Sequence, residues 1–255
     1  MGNIILINAD DFGFNSSVNK AIIESFKKGL ITTATIMANM PGFEEAVELT
    51  HNYKLDKKIG VHLVLTDGLS LTEEIKSIDI FFNSSGIPTP LRFKRLFFLN
   101  RKYRNIIFNE YSAQIEKVRN SGIPITHLDT HHQIHDMWSI SQIVIELLKT
   151  YKIPSMRILR NLGKSNYSYK RTYRNIINQY LKVQKVNFSD FLGDQLDFVS
   201  ILKKDPLFLR NERNTRIEIM VHPDLNYNGL VYDRIEGKEY ELNFQKVLTE
   251  YYEPK

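Results

Sequence analysis

Apolar residues along the chain alternate between short continuous runs and longer stretches with helical spacing. Asn3 to Asn8 (NIILIN) is a continuous apolar run, the mark of a strand buried on both faces. Asn15, Ser16 and Ser17 are good N-cap residues; after them Val18, Ile22, Ile23 and Phe26 recur at helical spacing, and Gly29 closes the helix. Leu30 to Met40, rich in Thr, Ile and Ala, predicts a second strand, and Pro41-Gly42 opens a helix through Glu44 to Leu49. Further strands are expected at Ile59–Thr66, Ile125–His131, Ser155–Leu159 and Arg216–His222, with helices at roughly Tyr103–Asn120, Ile140–Lys149 and Tyr169–Leu181. Strand–helix units joined by short turns imply a parallel sheet with right-handed crossovers. Six strands are visible, and the weakly patterned stretches 68–100 and 186–210 have room for one or two more. The expected architecture is α/β, a TIM-like (β/α) barrel with six to eight strands rather than an open sheet, forming a single domain over residues 1–255.

Composition narrows the chemistry more than the fold. A hydrophobic fraction of 42% and a charged fraction of 25% are ordinary globular usage and supply a substantial core. The chain has no cysteine, which excludes disulfides, thiolate metal sites and cysteine nucleophiles, so any metal must be held by His, Asp or Glu. No run approaches the length of a membrane span, and the N-terminus shows neither a basic start nor a small-residue cleavage site; the expected setting is the cytoplasm. The net charge of +5 is mild and suits anionic partners without demanding them. Leu91 to Phe108 (LRFKRLFFLNRKYRNIIF) interleaves basic and large apolar residues. Its plain reading is a helix with one solvated basic side; a lid, a dimer face or a patch for an anionic surface are the alternatives. No recognised binding motif accompanies the charge, so no nucleic-acid partner is expected.

The residues that carry chemistry sit at strand ends. Asp10 and Asp11, in Asn8-Ala9-Asp10-Asp11-Phe12-Gly13, follow directly on the first apolar run, where barrel enzymes place their active groups. Successive strand residues alternate faces, so the two carboxylates are expected to point in different directions, one to hold a metal and the other to act as a base. A capping role for either is the alternative, but Asn15 to Ser17 already offer caps. Gly13 permits the tight turn that must follow. His62 lies within an otherwise apolar strand, where a buried imidazole costs free energy unless both ring nitrogens are satisfied. Four of the seven histidines fall between His127 and His135 in THLDTHHQIH. Strand spacing puts His127, Asp129 and His131 on one face, whereas helical spacing would pair His131 with His135, so spacing alone leaves the ligand open. Asp129 is placed to hold the second ring nitrogen of a ligating histidine. His222, at a strand end before Pro223, suits either a proton donor or a strand cap. Arg157, a charge inside a strand pattern, suits either an oxyanion partner or a buried ion pair.

Taken in order, NADDFG, GVHLVLT, THLDTHHQIH and IMVHPDL resemble the YdjC-like carbohydrate deacetylases, a family that includes chitooligosaccharide deacetylases. The likeness runs over nearly the whole chain, with smaller echoes in ITTATIMAN, in Glu110 with Gln114, and around Arg157. It implies a (β/α) barrel, commonly paired as a homodimer. It also implies one divalent ion, magnesium or zinc, held by Asp11, His62 and His131, with Asp10 as general base and His222 as acid. Arg157, Asp129 and His132 are then expected on the substrate side, and an acetylated sugar or oligosaccharide as the substrate. The chain departs from the family at Gln133, where a third consecutive His is usual, and the Leu91–Phe108 segment looks peculiar to it. Two rivals accompany this reading: a metal-dependent hydrolase of another amide or a phosphoester, and a non-catalytic carbohydrate-binding protein on the same scaffold.

Overall fold

Strand β1 (Ile4–Phe12) is the axis of the molecule, with β2 (Thr33–Ile36) parallel on one side and β6 (Arg216–Val221) parallel on the other. In this computed structural model, residues 3–78, 99–163, 168–184, 187, 189–205, 208–211 and 214–239 are described. Beyond β2 lie β3 (Ile59–Leu63) and β4 (Leu128–Thr130), and beyond β6 lies β5 (Phe191–Asp194), giving the all-parallel order β4-β3-β2-β1-β6-β5. Helices α1 (Ser16–Lys27), α2 (Phe43–Asn52), α3 (Arg101–Asn120), α4 (Trp138–Tyr151), α5 (Ser168–Val183) and α6 (Gln195–Lys204) alternate with the strands. The fold is the expected α/β class, an incomplete TIM-like barrel built from six parallel strands.

The two sheet edges are joined by one extended segment. Ser155–Leu159, expected as a strand, forms no regular ladder but makes a single parallel bridge on each side, Met156 with Leu128 and Ser155 with Asn187. The amide of Arg157 donates to the Leu128 carbonyl at 2.9 Å, and that of Met156 to the Asn187 carbonyl at 3.2 Å. Strand β5 fills part of the room left in 186–210, while 79–98 lies outside the described residues. Of the basic-aromatic segment, 91–98 lies outside them too; from Arg101 onward it is the start of α3, with Ile106 and Ile107 buried and Arg101 and Lys102 exposed. An antiparallel hairpin of β7 (Pro223–Leu225), β8 (Val231–Asp233) and β9 (Lys238–Glu239) follows β6 and was not legible as a strand pattern.

The interior is lined by continuous aliphatic runs, as burial on both faces demands: every residue of β3 is buried, as are residues 7–12 of β1. Helix α1 starts where expected, Asn15 accepting from the Val18 amide at 2.9 Å. The neighbouring chain also leaves no spare volume at Gly60 of β3. A Cβ there would lie 2.6 Å from the His127 ring and 2.7 Å from its carbonyl oxygen. Gly60→Ala is therefore expected to cost about 1–3 kcal/mol by overpacking. Urea unfolding of the variant measures this, and an unchanged midpoint refutes the tight β3–β4 approach.

Candidate metal centre

The carboxyl ends of β1, β3 and β4 converge, and the first consequence concerns Asp10 and Asp11. Alternation along a regular strand would send them to opposite faces, but Asp11 has φ of 69°, in the left-handed region, and the β1–β2 register shifts between Ala9 and Phe12. This bulge overturns the expected divergence. Both carboxylates reach the surroundings of His62, Asp11 with His62 and His131, Asp10 with His62 and Asp129. A non-glycine residue held at positive φ costs of order 1–3 kcal/mol, a strain that clusters at functional sites. Gly13, at φ of 93°, completes the turn, its amide donating to Asn19 Oδ1 at 2.7 Å.

Three ligand atoms face one another. His131 Nδ1 lies 3.1 Å from Asp11 Oδ1, His62 Nε2 lies 3.3 Å from the same oxygen, and the two nitrogens are 3.1 Å apart. Donors that share an ion at about 2.0–2.2 Å are spread about 2.9–3.4 Å from each other, so the triangle already has the dimensions of a coordination face. Asp11 Oδ1 is buried and faces the two imidazole nitrogens. The spacing ambiguity in the histidine cluster is thereby resolved. His131 belongs to the triangle; His127 instead meets Asn8 and Thr126, and His135 meets Thr130. His131 is not in strand β4 but opens a 3₁₀ turn (His131–Asp136) in which His132 and Gln133 adopt left-handed backbone angles.

The far nitrogens explain why the near ones carry lone pairs. His62 and Asp129 are paired in register across β3 and β4, and His62 Nδ1 donates to Asp129 Oδ1 at 2.6 Å. His131 Nε2 donates to Asp67 Oδ2 at 3.0 Å. Each imidazole thus has a carboxylate on one nitrogen and the triangle on the other, the arrangement of a carboxylate–histidine–metal triad. Asp67 escaped the sequence reading; an acid just past the apolar β3 run was the available signal. The segment that carries it is anchored by α3: Gln114 bonds both backbone groups of Val64, and Glu110 accepts from the amides of Leu71 and Thr72.

Without a cation, three facing lone pairs repel, and protons fill the gap. Burial alone would lower the His62 pKa, but Asp129 and Asp11 outweigh it and raise it to about 10. His131 is likewise raised, Asp11 and Asp67 overcoming its burial. Burial would raise Asp11, yet His131 and His62 hold its carboxyl well below the usual range.

Arg157 and Asp129 lie elsewhere than expected. Both are wholly buried, behind His62 and Asp10 rather than on the cleft. Arg157 Nη1 and Nη2 bind the two oxygens of Asp10 at 2.7 and 2.6 Å, Nη1 also meets Asp129 Oδ2 at 2.7 Å, and Nε donates to Glu218 at 2.6 Å. Each of the three guanidinium nitrogens is engaged by a buried carboxylate, so Arg157 and Asp129 stand together in a buried ion cluster and not among the residues that border the cleft, where the substrate side was expected. His132 does stand on the cleft, a hollow of about 290 Å³ bordered by Asp10, His62, His131, Gln133 and His222. Arg160, also on its wall and paired with Asp194 and Asp197, was not foreseen. His222 Nε2 is 3.8 Å from Asp10 Oδ2. Gln133 turns its amide to Met220 Sδ. A larger hollow, about 410 Å³, opens at the amino ends of the strands beside Lys57, His127 and Arg216. It touches no donor of the triangle, and that end of a barrel serves stability.

A family model described as YdjC-like protein matches residues 4–251. The chain belongs to the YdjC-like family. Its relatives include a protein named carbohydrate deacetylase from Clostridium beijerinckii, 30% identical over 92% of this chain and 89% of the relative. Proteins of the same name from Geobacillus stearothermophilus and Vibrio cholerae are each 32% identical, covering 88% and 86% of this chain and 80% and 77% of theirs. A crystal structure from Enterococcus faecalis V583 superposes with a TM-score of 0.74 at 22% identity, covering 98% of this chain and 95% of that one, which establishes the shared fold. Among the described residues no helix is long and apolar enough to cross a membrane.

An ion entering the triangle must displace the proton that His62 keeps up to about pH 10. Apparent affinity for a divalent ion should therefore rise with pH below that value, about tenfold per unit for each proton displaced. Calorimetric titration between about pH 6 and pH 8, with proton release read from buffer dependence, tests this. A flat affinity without proton release would count against the triangle as the binding site.

Proposed function

We propose that this chain is a metal-dependent hydrolase that removes acetyl groups from N-acetylated sugars or oligosaccharides. The observation that carries the reading is the triangle of Asp11 Oδ1, His62 Nε2 and His131 Nδ1, with Asp10 beside it on the same cleft. Family membership and the name shared by its relatives support the acetyl-sugar part.

Asp11, His62 and His131 would hold one divalent ion. Two imidazoles suit zinc, and the Asp11 carboxylate together with water in the open positions suits magnesium. When bound, the ion supplies Lewis acidity that polarises the acetyl carbonyl and lowers the pKa of water. The protein residues do the rest. Arg157 fixes the Asp10 carboxylate through both oxygens, so its orientation is set before substrate arrives. Asp10 Oδ1 also accepts from Asn8 Nδ2 at 2.9 Å, which leaves Oδ2 as the atom turned toward His222. Asp10 Oδ2 takes the proton of the attacking water, and His222 Nε2 gives a proton to the departing sugar nitrogen. Acetate and a free amine result. His132 and Arg160 border the cleft where the sugar would lie, and Gln133 stands where the resemblance leads one to expect an imidazole. A homodimer, a cytoplasmic setting and a single domain over the whole chain stay with this reading as proposals drawn from the resemblance and the sequence.

The experiment is acetate release from N-acetylglucosamine oligomers with added magnesium or zinc, run beside phosphate release from generic phosphoesters. Acetate release abolished by a chelator is the expected result. Phosphate release alone, or no turnover with any ion, overturns the assignment. Asp10→Asn should retain the ion and lose turnover by at least about 10²-fold, whereas Asp11→Ala should lose the ion itself. Full activity in Asp10→Asn rules out the base.

A further inference from the structure

We infer that Arg234 is the positioning residue of the metal triangle, gripping one oxygen of Asp11 so that the other is aimed between the two histidines. The inference rests on reading the triangle as a metal site. Arg234 follows β8 directly, on the hairpin that succeeds β6, more than two hundred residues from Asp11 in sequence. Its Nη2 donates to Asp11 Oδ2, the oxygen that faces away from His62 and His131. A carboxylate left alone can turn and present either oxygen or both; one with a charge-assisted bond to Oδ2 presents only Oδ1.

The guanidinium is itself held in place before any ion arrives. It lies 4.5 Å over the Phe14 ring centroid, and Phe14 is three residues past Asp11 on the same turn. Its backbone amide donates to the His222 carbonyl at 2.9 Å. Its neighbour Asp233, almost wholly buried, accepts from the His222 amide through Oδ2 and from the amides of Ile235 and Glu236 through Oδ1. The hairpin is thereby pinned to the end of β6, and the arginine side chain spans from that pin to the ligand. Its charge also sets the character of the site. With both histidines neutral the triangle carries one negative charge from Asp11, and Arg234 offsets it, so a bound cation keeps more of its own charge to act on a carbonyl.

A merely structural arginine would tie the hairpin down and leave ion binding untouched, and the test separates the two. Arg234→Met keeps length and packing over Phe14 but removes the donor; Arg234→Lys restores a charge-assisted donor without the fork. Zinc and cobalt dissociation constants are measured for the full chain, with the visible absorption of the cobalt form and the melting temperature of the metal-free form. The expected result is about 10–100-fold weaker binding in Arg234→Met, an altered cobalt spectrum as Asp11 is freed to turn, and recovery of most of the loss in Arg234→Lys. The melting temperature should be close to that of the parent. Wild-type dissociation constants and a wild-type cobalt spectrum in Arg234→Met overturn the inference, as does tighter binding. Phe14→Leu, which removes the support without touching Asp11, should weaken binding in the same direction by less; no effect there counts equally against it. If the parent chain binds neither of these ions nor magnesium, the metal reading itself fails, a distinct outcome.

Discussion

A single buried guanidinium organises the active end of this barrel. Arg157 comes from a segment that bridges toward both sheet edges, and it meets Asp10 of β1, Asp129 of β4 and Glu218 of β6 at 2.6–2.7 Å. Three carboxylates this close and this dry would repel unless something cationic stood among them, and burying the group unpaired would be prohibitive. The ion cluster therefore works as a specification. With the bridging segment in place Asp10 is oriented, Asp129 is left with one oxygen for His62, and His62 is turned with Nε2 toward Asp11.

The carboxylates behind the histidines extend the same logic outward. Asp129, Asp67 and the Arg234–Asp11 contact each fix the direction of one ligand, so each corner of the triangle has its own support. These supports come from three distant places: a neighbouring strand, a loop stapled by Glu110 and Gln114, and a hairpin after the last parallel strand. None of them borders the hollow as His132, Gln133 and Arg160 do. The residues that orient the triangle and the residues that border the hollow are thus largely different.

Much of this was legible in the chain because buried parallel strands and amphipathic helices write strong local patterns. Strand β1, helix α1 and helices α3 to α5 stand close to where periodicity puts them, and the trio of Asp11, His62 and His131 follows from strand-end position together with the family resemblance. What was not legible depends on contacts between distant segments. Arg157 looks the same in sequence whether it faces a cleft or three buried acids; only the bridging geometry decides. Asp67 and Arg234 are ordinary loop charges until the fold brings them to His131 and Asp11. The hairpin strands are two or three residues long and carry no period to read. The direction of Asp11 was misread because alternation assumes a regular strand, and one left-handed residue cancels it.

That left-handed residue also bears on how the family can drift. Besides glycine, asparagine and aspartate are the side chains that occupy this backbone region most readily. Asparagine and glycine are each a single nucleotide away from aspartate. Position 11 is therefore a place where a gene could lose its charge while the chain keeps its bulge and its folded shape. A relative changed at this one position would keep the outline of the fold, and only the side chain there would tell whether the carboxylate facing the two histidines had been kept.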